Sequence, residues 1–215
     1  MLGDREGAAA RSDASVVVLR HGATEWSTAR RHTGRTDVPL SPEGERQAIA
    51  LAPVMVRLAA RGPLVALTSP LRRARRTAEL AGLVPYTLDE DLVEWDYGAY
   101  EGLTTTQIRT QAPGWTVFTQ PCPGGETARH VARRCDRVLG RIAAASKDDP
   151  TVTVVAVAHS HLLRSLAARW LGRPVSDGGV LELGVASMSV LGHEHGVRTL
   201  RHWNLANPLA QDPFS

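Results

Sequence analysis

Cysteine is scarce: Cys122 and Cys135 are the only two in 215 residues, and they lack metal-ligand spacing. Two cysteines make no disulfide framework, and a chain of this length needs none, so a reducing compartment is expected. Long apolar runs are missing too. No stretch of about 18 or more apolar residues occurs, which excludes an ordinary membrane-spanning helix. Residues 1–15 (MLGDREGAAARSDAS) mix charges with small residues and lack the apolar stretch of about 7 to 15 residues that a secretory signal needs. A disordered tail is expected there, on a soluble and cytoplasmic protein. Charge of one sign is equally short, since 25 Lys and Arg stand against 22 Asp and Glu. The pI is 9.3, yet there is no basic tail or stripe, so neither a nucleic-acid nor a membrane partner is expected.

What is present suits one globular unit. The chain is 43% hydrophobic and long enough for a sizeable core, which predicts a single domain over residues 16–215 with no linker, repeat or low-complexity block. Val16 to Leu19 reads as a first strand. Ser41-Pro42-Glu43 opens a helix with a capping hydroxyl, a first-turn proline and an acid near the positive dipole end. That helix runs towards Arg61-Gly62-Pro63, and Pro53 should kink or split it. Leu64 to Thr68 is a second strand, followed by a helix from Ser69-Pro70 through Ala81 that stops at Gly82. Val84 to Leu88 is a short strand candidate, and Thr105 to Gln111 a short helix. Glu126 to Ala145 carries apolar residues at helical spacing, and Thr151 to Ala158 is another β-branched run. A helix over about His161 to Leu171 and two apolar segments, Val180 to Val185 and Ser187 to Leu191, complete the pattern. Alternating strands and helices predict an α/β fold: a three-layer αβα sandwich with a mostly parallel central sheet.

Histidines follow two of the buried strands. Leu19-Arg20-His21-Gly22 closes the first and Ala158-His159 the later one. Open α/β sheets bind ligands beyond the carboxyl ends of their strands. Parallel strands far apart in sequence can lie side by side, so the two imidazoles can share a site. An imidazole beside a guanidinium suits phosphate, because one can attack phosphorus and the other can hold its oxygens. Phosphoryl transfer calls for several convergent positive groups, and Arg72, Arg73, Arg75 and Arg76 follow the second strand. Helical spacing puts Arg72 and Arg76 on one face, and Arg73 and Thr77 on another. A leaving alkoxide needs a proton, and Glu94, flanked by Val93 and Trp95, is a desolvated candidate alongside Asp96 and Glu101. Trp26, Trp95, Tyr97, Tyr100 and Trp115 are candidates for pocket walls.

The ordered set of motifs resembles the histidine phosphatase superfamily, the phosphoglycerate mutase-like proteins, from Val16 to about Leu205. It comprises Leu19-Arg20-His21-Gly22-Ala23-Thr24-Glu25-Trp26, His32-Thr33-Gly34, Asp37-Val38-Pro39-Leu40-Ser41, and Ser69-Pro70-Leu71-Arg72-Arg73-Ala74. Tyr97-Gly98, Glu101-Gly102, Gly124-Gly125-Glu126-Thr127 and Ala158-His159 complete it. The resemblance implies a phosphoglycerate mutase-like fold, His21 as a nucleophile that forms a phosphohistidine, and Arg20, Arg73 and His159 gripping the phosphoryl oxygens. It also implies Glu94 as proton donor, with Thr33, Gly34 and the loop around Ser27 on the substrate side, and no metal or organic cofactor. Two positions depart from the family pattern. Ser27 stands where many relatives have asparagine, and Ser160 replaces a glycine, giving His159-Ser160-His161. Both serines and His161 are taken as substrate-binding candidates.

The segment between Leu103 and Gly125 is short where true mutases resemble longer chains, so an open pocket that admits water is expected. The expected activity is hydrolysis of small phosphomonoesters, sugar phosphates among them, as in the acid phosphatase and sugar-bisphosphatase-like branch. A cofactor-dependent phosphoglycerate mutase and a non-catalytic phospho-ligand binding protein are the alternatives. The expected partner is a small phosphorylated metabolite, with a homodimer as the oligomeric option.

Overall fold

The computed structural model describes residues 16–206, so the tail expected over residues 1–15 lies outside it. Six strands form one sheet: β1 (Val16–Arg20), β2 (Leu64–Thr68), β3 (Thr87–Leu88), β4 (Thr153–Ala158), β5 (Met188–Glu194) and β6 (Val197–Leu205), in the order β3-β2-β4-β1-β5-β6. The pairs β1–β4, β4–β2 and β2–β3 are parallel, while β5 runs antiparallel to both β1 and β6. Among the described residues there are seven α-helices: α1 (Glu25–Thr28), α2 (Pro42–Ile49), α3 (Ala52–Ala59), α4 (Arg72–Leu80), α5 (Thr105–Gln111), α6 (Ala128–Ala145) and α7 (Ser160–Trp170).

Period-two alternation sorts β1 between two cores. Val16 and Val18 of β1 join Val131, Cys135, Val138 and Ile142 of α6 and Leu162 and Leu166 of α7. Val17 and Leu19 face the other way, onto Leu51, Val54, Met55 and Leu58 around α3 and Ala74 and Ala78 of α4. This is the three-layer arrangement that the alternating grammar predicts. Both cysteines are free and buried. Burial pushes the Cys122 thiol up to about 11 and that of Cys135 up to about 12, so they behave as small packing residues. Among the described residues, no helix is long and apolar enough to cross a membrane.

Local signals explain most boundaries. Ser41 caps α2 by accepting from Gly44 N at 3.1 Å, with Pro42 at the first position. Pro53 sits at the start of α3 and splits the expected long helix in two. Gly82, at φ +77°, turns the chain after α4 in a conformation that favours glycine.

Three expectations need correction. Of Val84 to Leu88 only Thr87 and Leu88 pair, because Pro85 has no N–H to offer a ladder. The segment Val180 to Val185 is not a strand. It follows a 3-10 helix (Val175–Val180), and its carbonyls serve side chains instead: Arg20 Nη1 donates to Leu183 O, and Trp203 Nε1 to Glu182 O. The last strand is β6, which the sequence reading left out. It pairs with β5 through a two-residue turn, His195-Gly196, with φ of 50° and 80°, the positive values a tight hairpin requires. A register shift near Val190 and the half-buried position of β6 blur the alternation that would mark it.

Candidate active site

The three central parallel strands deliver the candidate groups to one edge. His21 follows β1, Ser69 follows β2 and His159 follows β4. Their backbones interlock, with His21 N donating to Ala158 O at 3.0 Å and Ser69 N to Val157 O at 3.0 Å. Gly22 lets this edge press onto α2, since a Cβ there would lie 2.3 Å from Gly44 O. The two imidazole rings lie 5.2 Å apart between centroids, both buried.

The hydrogen-bond network assigns the tautomers. His21 Nδ1 lies 2.7 Å from the Gly22 carbonyl, which can only accept, so Nδ1 carries the proton and Nε2 carries the lone pair. Burial, with the charges of Arg73 and Arg20, holds the His21 imidazole well below its ordinary range, so it is neutral near pH 7. At His159 the order reverses. Arg73 Nε donates to Nδ1 at 3.1 Å, which leaves Nε2 as the N–H, 2.8 Å from Ser69 Oγ. Burial and Arg73 push its basicity down as well.

Of the four arginines that follow β2, only Arg73 is driven inward. It is fully buried, as is Thr77 one turn on, whose hydroxyl donates to Arg73 O at 2.7 Å. Arg72 and Arg76 stay exposed on the other face, and Arg76 pairs with Glu45. Arg73 also donates through Nη1 to Thr36 O and through Nη2 to Thr33 O and Gly34 O. Four of its five N–H groups are thereby tied to protein, so it orients His159 and shapes the 33–36 loop as well as adding charge. Arg20 is freer. Its Nη1 reaches Leu183 O, while its Nε is buried with no protein partner among the described residues.

Glu94 is buried at the amino end of α7. Its Oε1 accepts from Trp95 N at 2.9 Å and Leu162 N at 2.8 Å, and its Oε2 from His161 N at 3.0 Å. Two of these three donors are amides of the first turn of α7. Asp96 and Glu101 are placed otherwise. Asp96 caps Gly98 N, and Glu101 clamps Gly34 N and Thr36 N.

A cleft of about 260 Å³ opens over these groups. Arg20, His21, Glu94, Ser27, Thr33, Ser160 and His161 line it, which brings most of the expected residues together. Arg73 and His159 lie just beneath. Gly34 is behind the wall, its carbonyl held by Arg73 and its N–H by Glu101. The Ser27 hydroxyl closes a capping box on α1, accepting from Thr24 N at 2.9 Å and donating to Thr24 O at 3.0 Å. Ser160 is the first residue of α7, where helical backbone suits any L residue and glycine is not required. Tyr97 lines the cleft and shares a 2.5 Å hydrogen bond with His161 Nδ1. Trp95 is core instead, its Nε1 donating to Glu126 O.

Several contributors escaped the sequence reading. Ser69 holds the His159 N–H, and its place directly after β2 was the available signal. Arg30, Arg31 and His32 complete the cleft wall. Arg134 of α6, nearly buried with Glu126, donates to the carbonyls of Asp91 and Val93 and so fixes the loop that presents Glu94. Among the described residues, no group of three or more His, Cys, Asp or Glu is placed to hold a metal.

Comparison with known proteins gives one family. The model of the histidine phosphatase superfamily (branch 1) matches residues 16–206. The acid phosphatase of Mycobacterium tuberculosis is 42% identical over 185 residues, which cover 86% of this chain and 89% of the relative. The sedoheptulose 1,7-bisphosphatase of Saccharomyces cerevisiae is 32% identical over 181 residues, covering 73% and 67% respectively. The solved structure of a mycobacterial glucosyl-3-phosphoglycerate phosphatase in complex with VO3 superposes with a TM-score of 0.78 at 34% identity, covering 89% of this chain and 99% of that one.

Proposed function

The chain belongs to the histidine phosphatase superfamily, branch 1, as a phosphoric monoester hydrolase, and we propose that it acts on small phosphorylated sugars through a phosphohistidine on His21. In the first step the His21 Nε2 lone pair attacks phosphorus while the bond to the ester oxygen breaks. Arg20, Arg73 and the His159 N–H balance the charge on the phosphoryl oxygens. For His159 this means exchanging Ser69 Oγ for a phosphoryl oxygen. Glu94 passes a proton to the leaving oxygen through Oε2, which accepts only one backbone N–H. In the second step a water attacks phosphorus, Glu94 takes the water proton, and the nitrogen–phosphorus bond breaks to release phosphate and return His21 neutral. Thr33, Ser160 and His161 contact the alcohol portion, while Ser27 and Gly34 hold the surrounding loop.

The observation that carries this reading is the His21 tautomer: the 2.7 Å bond to Gly22 O fixes Nδ1 as the donor and leaves Nε2 nucleophilic at neutral pH. A screen of sugar phosphates with released phosphate as readout tests the substrate class. Turnover of several sugar phosphates by the wild type, absent in His21→Ala, is the expected result. Phosphate exchange between two metabolites without net release would contradict hydrolysis.

A further inference from the structure

Main-chain bonds hold His21 on both sides, with His21 N donating to Ala158 O and His21 O accepting from Ala186 N, each at 3.0 Å. The carbonyl that meets its Nδ1–H lies one residue further on, at Gly22. Beyond β1 the N–H groups of Gly22 and Ala23 have no strand to pair with, and both are taken up by side chains.

Gly22 N donates to Thr77 Oγ1 of α4 at 3.1 Å, and Ala23 N donates to Gln47 Oε1 of α2 at 2.9 Å. Each acceptor is itself oriented. The Thr77 hydroxyl proton is committed to Arg73 O at 2.7 Å, which leaves only lone pairs for Gly22 N. Gln47 Nε2 donates to Glu43 Oε1 at 3.3 Å, which turns Oε1 of the amide towards Ala23 N. Glycines at the contact let α2 approach so closely: a Cβ on Gly44 would lie 2.0 Å from Ala23 O. Gln47 follows Gly44 at helical i,i+3 spacing and so shares its face of α2.

The peptide between Gly22 and Ala23 therefore carries a hydrogen bond at each end, Gln47 Oε1 on its N–H and His21 Nδ1–H on its carbonyl. Bonds linked in this way polarise one another, so the held N–H makes the carbonyl a better acceptor. Only the two dihedrals of Gly22 could turn that carbonyl away. Thr77 pins the peptide before them, and Gln47 the peptide after.

Resting on the reading of His21 as nucleophile, we propose that Gln47, with Thr77, is a positioning residue that acts through the Gly22 peptides to keep His21 Nδ1 protonated and its Nε2 lone pair aimed at phosphorus. Neither side chain lines the catalytic cleft, so both act through the main chain. The amide does for this imidazole, across one peptide, what the carboxylate of a hydrolytic triad does by direct contact.

The test combines first-turnover kinetics with 15N NMR of histidine-labelled protein. Gln47→Met keeps the length of the side chain and removes the acceptor, whereas Gln47→Glu keeps an acceptor oxygen. Gln47→Met is expected to slow the first-turnover release of p-nitrophenol from p-nitrophenyl phosphate by about 10- to 100-fold. Its His21 ring nitrogens should move from a single Nδ1–H signature towards averaging between tautomers. Gln47→Glu should bring the rate back to within about threefold of wild type and restore that signature. Thr77→Val and Thr77→Ser form a second pair with the same expected order, which keeps the test open if Gln47→Met folds poorly. An unchanged rate in both Gln47→Met and Thr77→Val, a slower rate with wild-type His21 resonances, or a loss that neither conservative variant recovers overturns the proposal. Failure of the underlying nucleophile reading looks different: His21→Ala would then retain turnover of p-nitrophenyl phosphate.

Discussion

The strand-end wall of the cleft, with His21 after β1 and His159 after β4, is fixed by main-chain ladders, whereas the opposite wall is held by side chains reaching distant backbone groups. His21 N and Ser69 N bond directly to carbonyls of β4, so the His21 backbone moves only if the sheet moves. Glu94 instead depends on amides of α7, and its loop depends on Arg134 of α6. In the proposed mechanism, attack on phosphorus thus rests on backbone geometry, and proton delivery and alcohol recognition rest on long-range side-chain contacts. Substitutions on the two walls should therefore fail in different ways.

The largest separation is expected between the two reacting groups. His21→Ala should lower kcat by about 10⁴-fold or more on every ester, with an unchanged circular dichroism spectrum, because no other neutral imidazole has a free lone pair at that position. Glu94→Gln should slow alkyl phosphates by about 10²- to 10³-fold and p-nitrophenyl phosphate far less, since a good leaving group needs no proton. Equal slowing of both esters would remove Glu94 from proton delivery and collapse the contrast between the walls.

A smaller effect should separate position from chemistry. Arg134→Met strands the Glu126 carboxylate, whose side chain is 13% exposed, and should cost about 3–5 kcal/mol in urea unfolding. Adding Glu126→Gln should recover part of that loss. At a temperature where Arg134→Met remains folded, it should slow alkyl esters more than aryl ones, as Glu94→Gln does. Loss of stability without that ester dependence would make the arginine a packing residue only.

The smallest effect concerns acid. Burial lowers His32 to about 4, from an ordinary 6.5, and pushes His21, His159 and His161 in the same direction. The unfolded chain then binds protons that the folded one excludes. Stability contributed by these neutral rings is complete above about pH 6.5 and falls as the pH drops towards 4. The melting temperature should decrease by about 5–10 °C between pH 6.5 and 4.5, and His32→Gln should flatten part of that slope. A melting temperature constant over this interval would contradict the buried, neutral imidazoles.

The same contrast governs what could be read from the chain. His21, His159 and Arg73 were legible because β-branched runs locate strand ends and helical spacing separates Arg73 and Thr77 from Arg72 and Arg76. The α2–α3 break was legible from Pro53, and Gly82 marked the end of α4. Ser69 was hidden because Ser69-Pro70 imitates a helix start, although its hydroxyl faces His159 and the helix begins at Arg72. Arg134 looks like any polar residue of an amphipathic helix; the carbonyls it holds, Asp91 O and Val93 O, lie 43 and 41 positions back in the chain, where no local pattern points. The β6 hairpin was missed because a His-Gly turn and a shifted register obscure the alternation that marks a half-buried strand. Tertiary contacts rather than propensity decide each of these cases.

The most direct test is rapid-quench labelling of the wild-type enzyme with a 32P phosphomonoester, followed by mapping of the label. A phosphoramidate on His21, labile in acid, stable in alkali and formed within the first turnover, is the predicted result. Absence of any such adduct while phosphate is released, or its placement on another residue, would contradict the account.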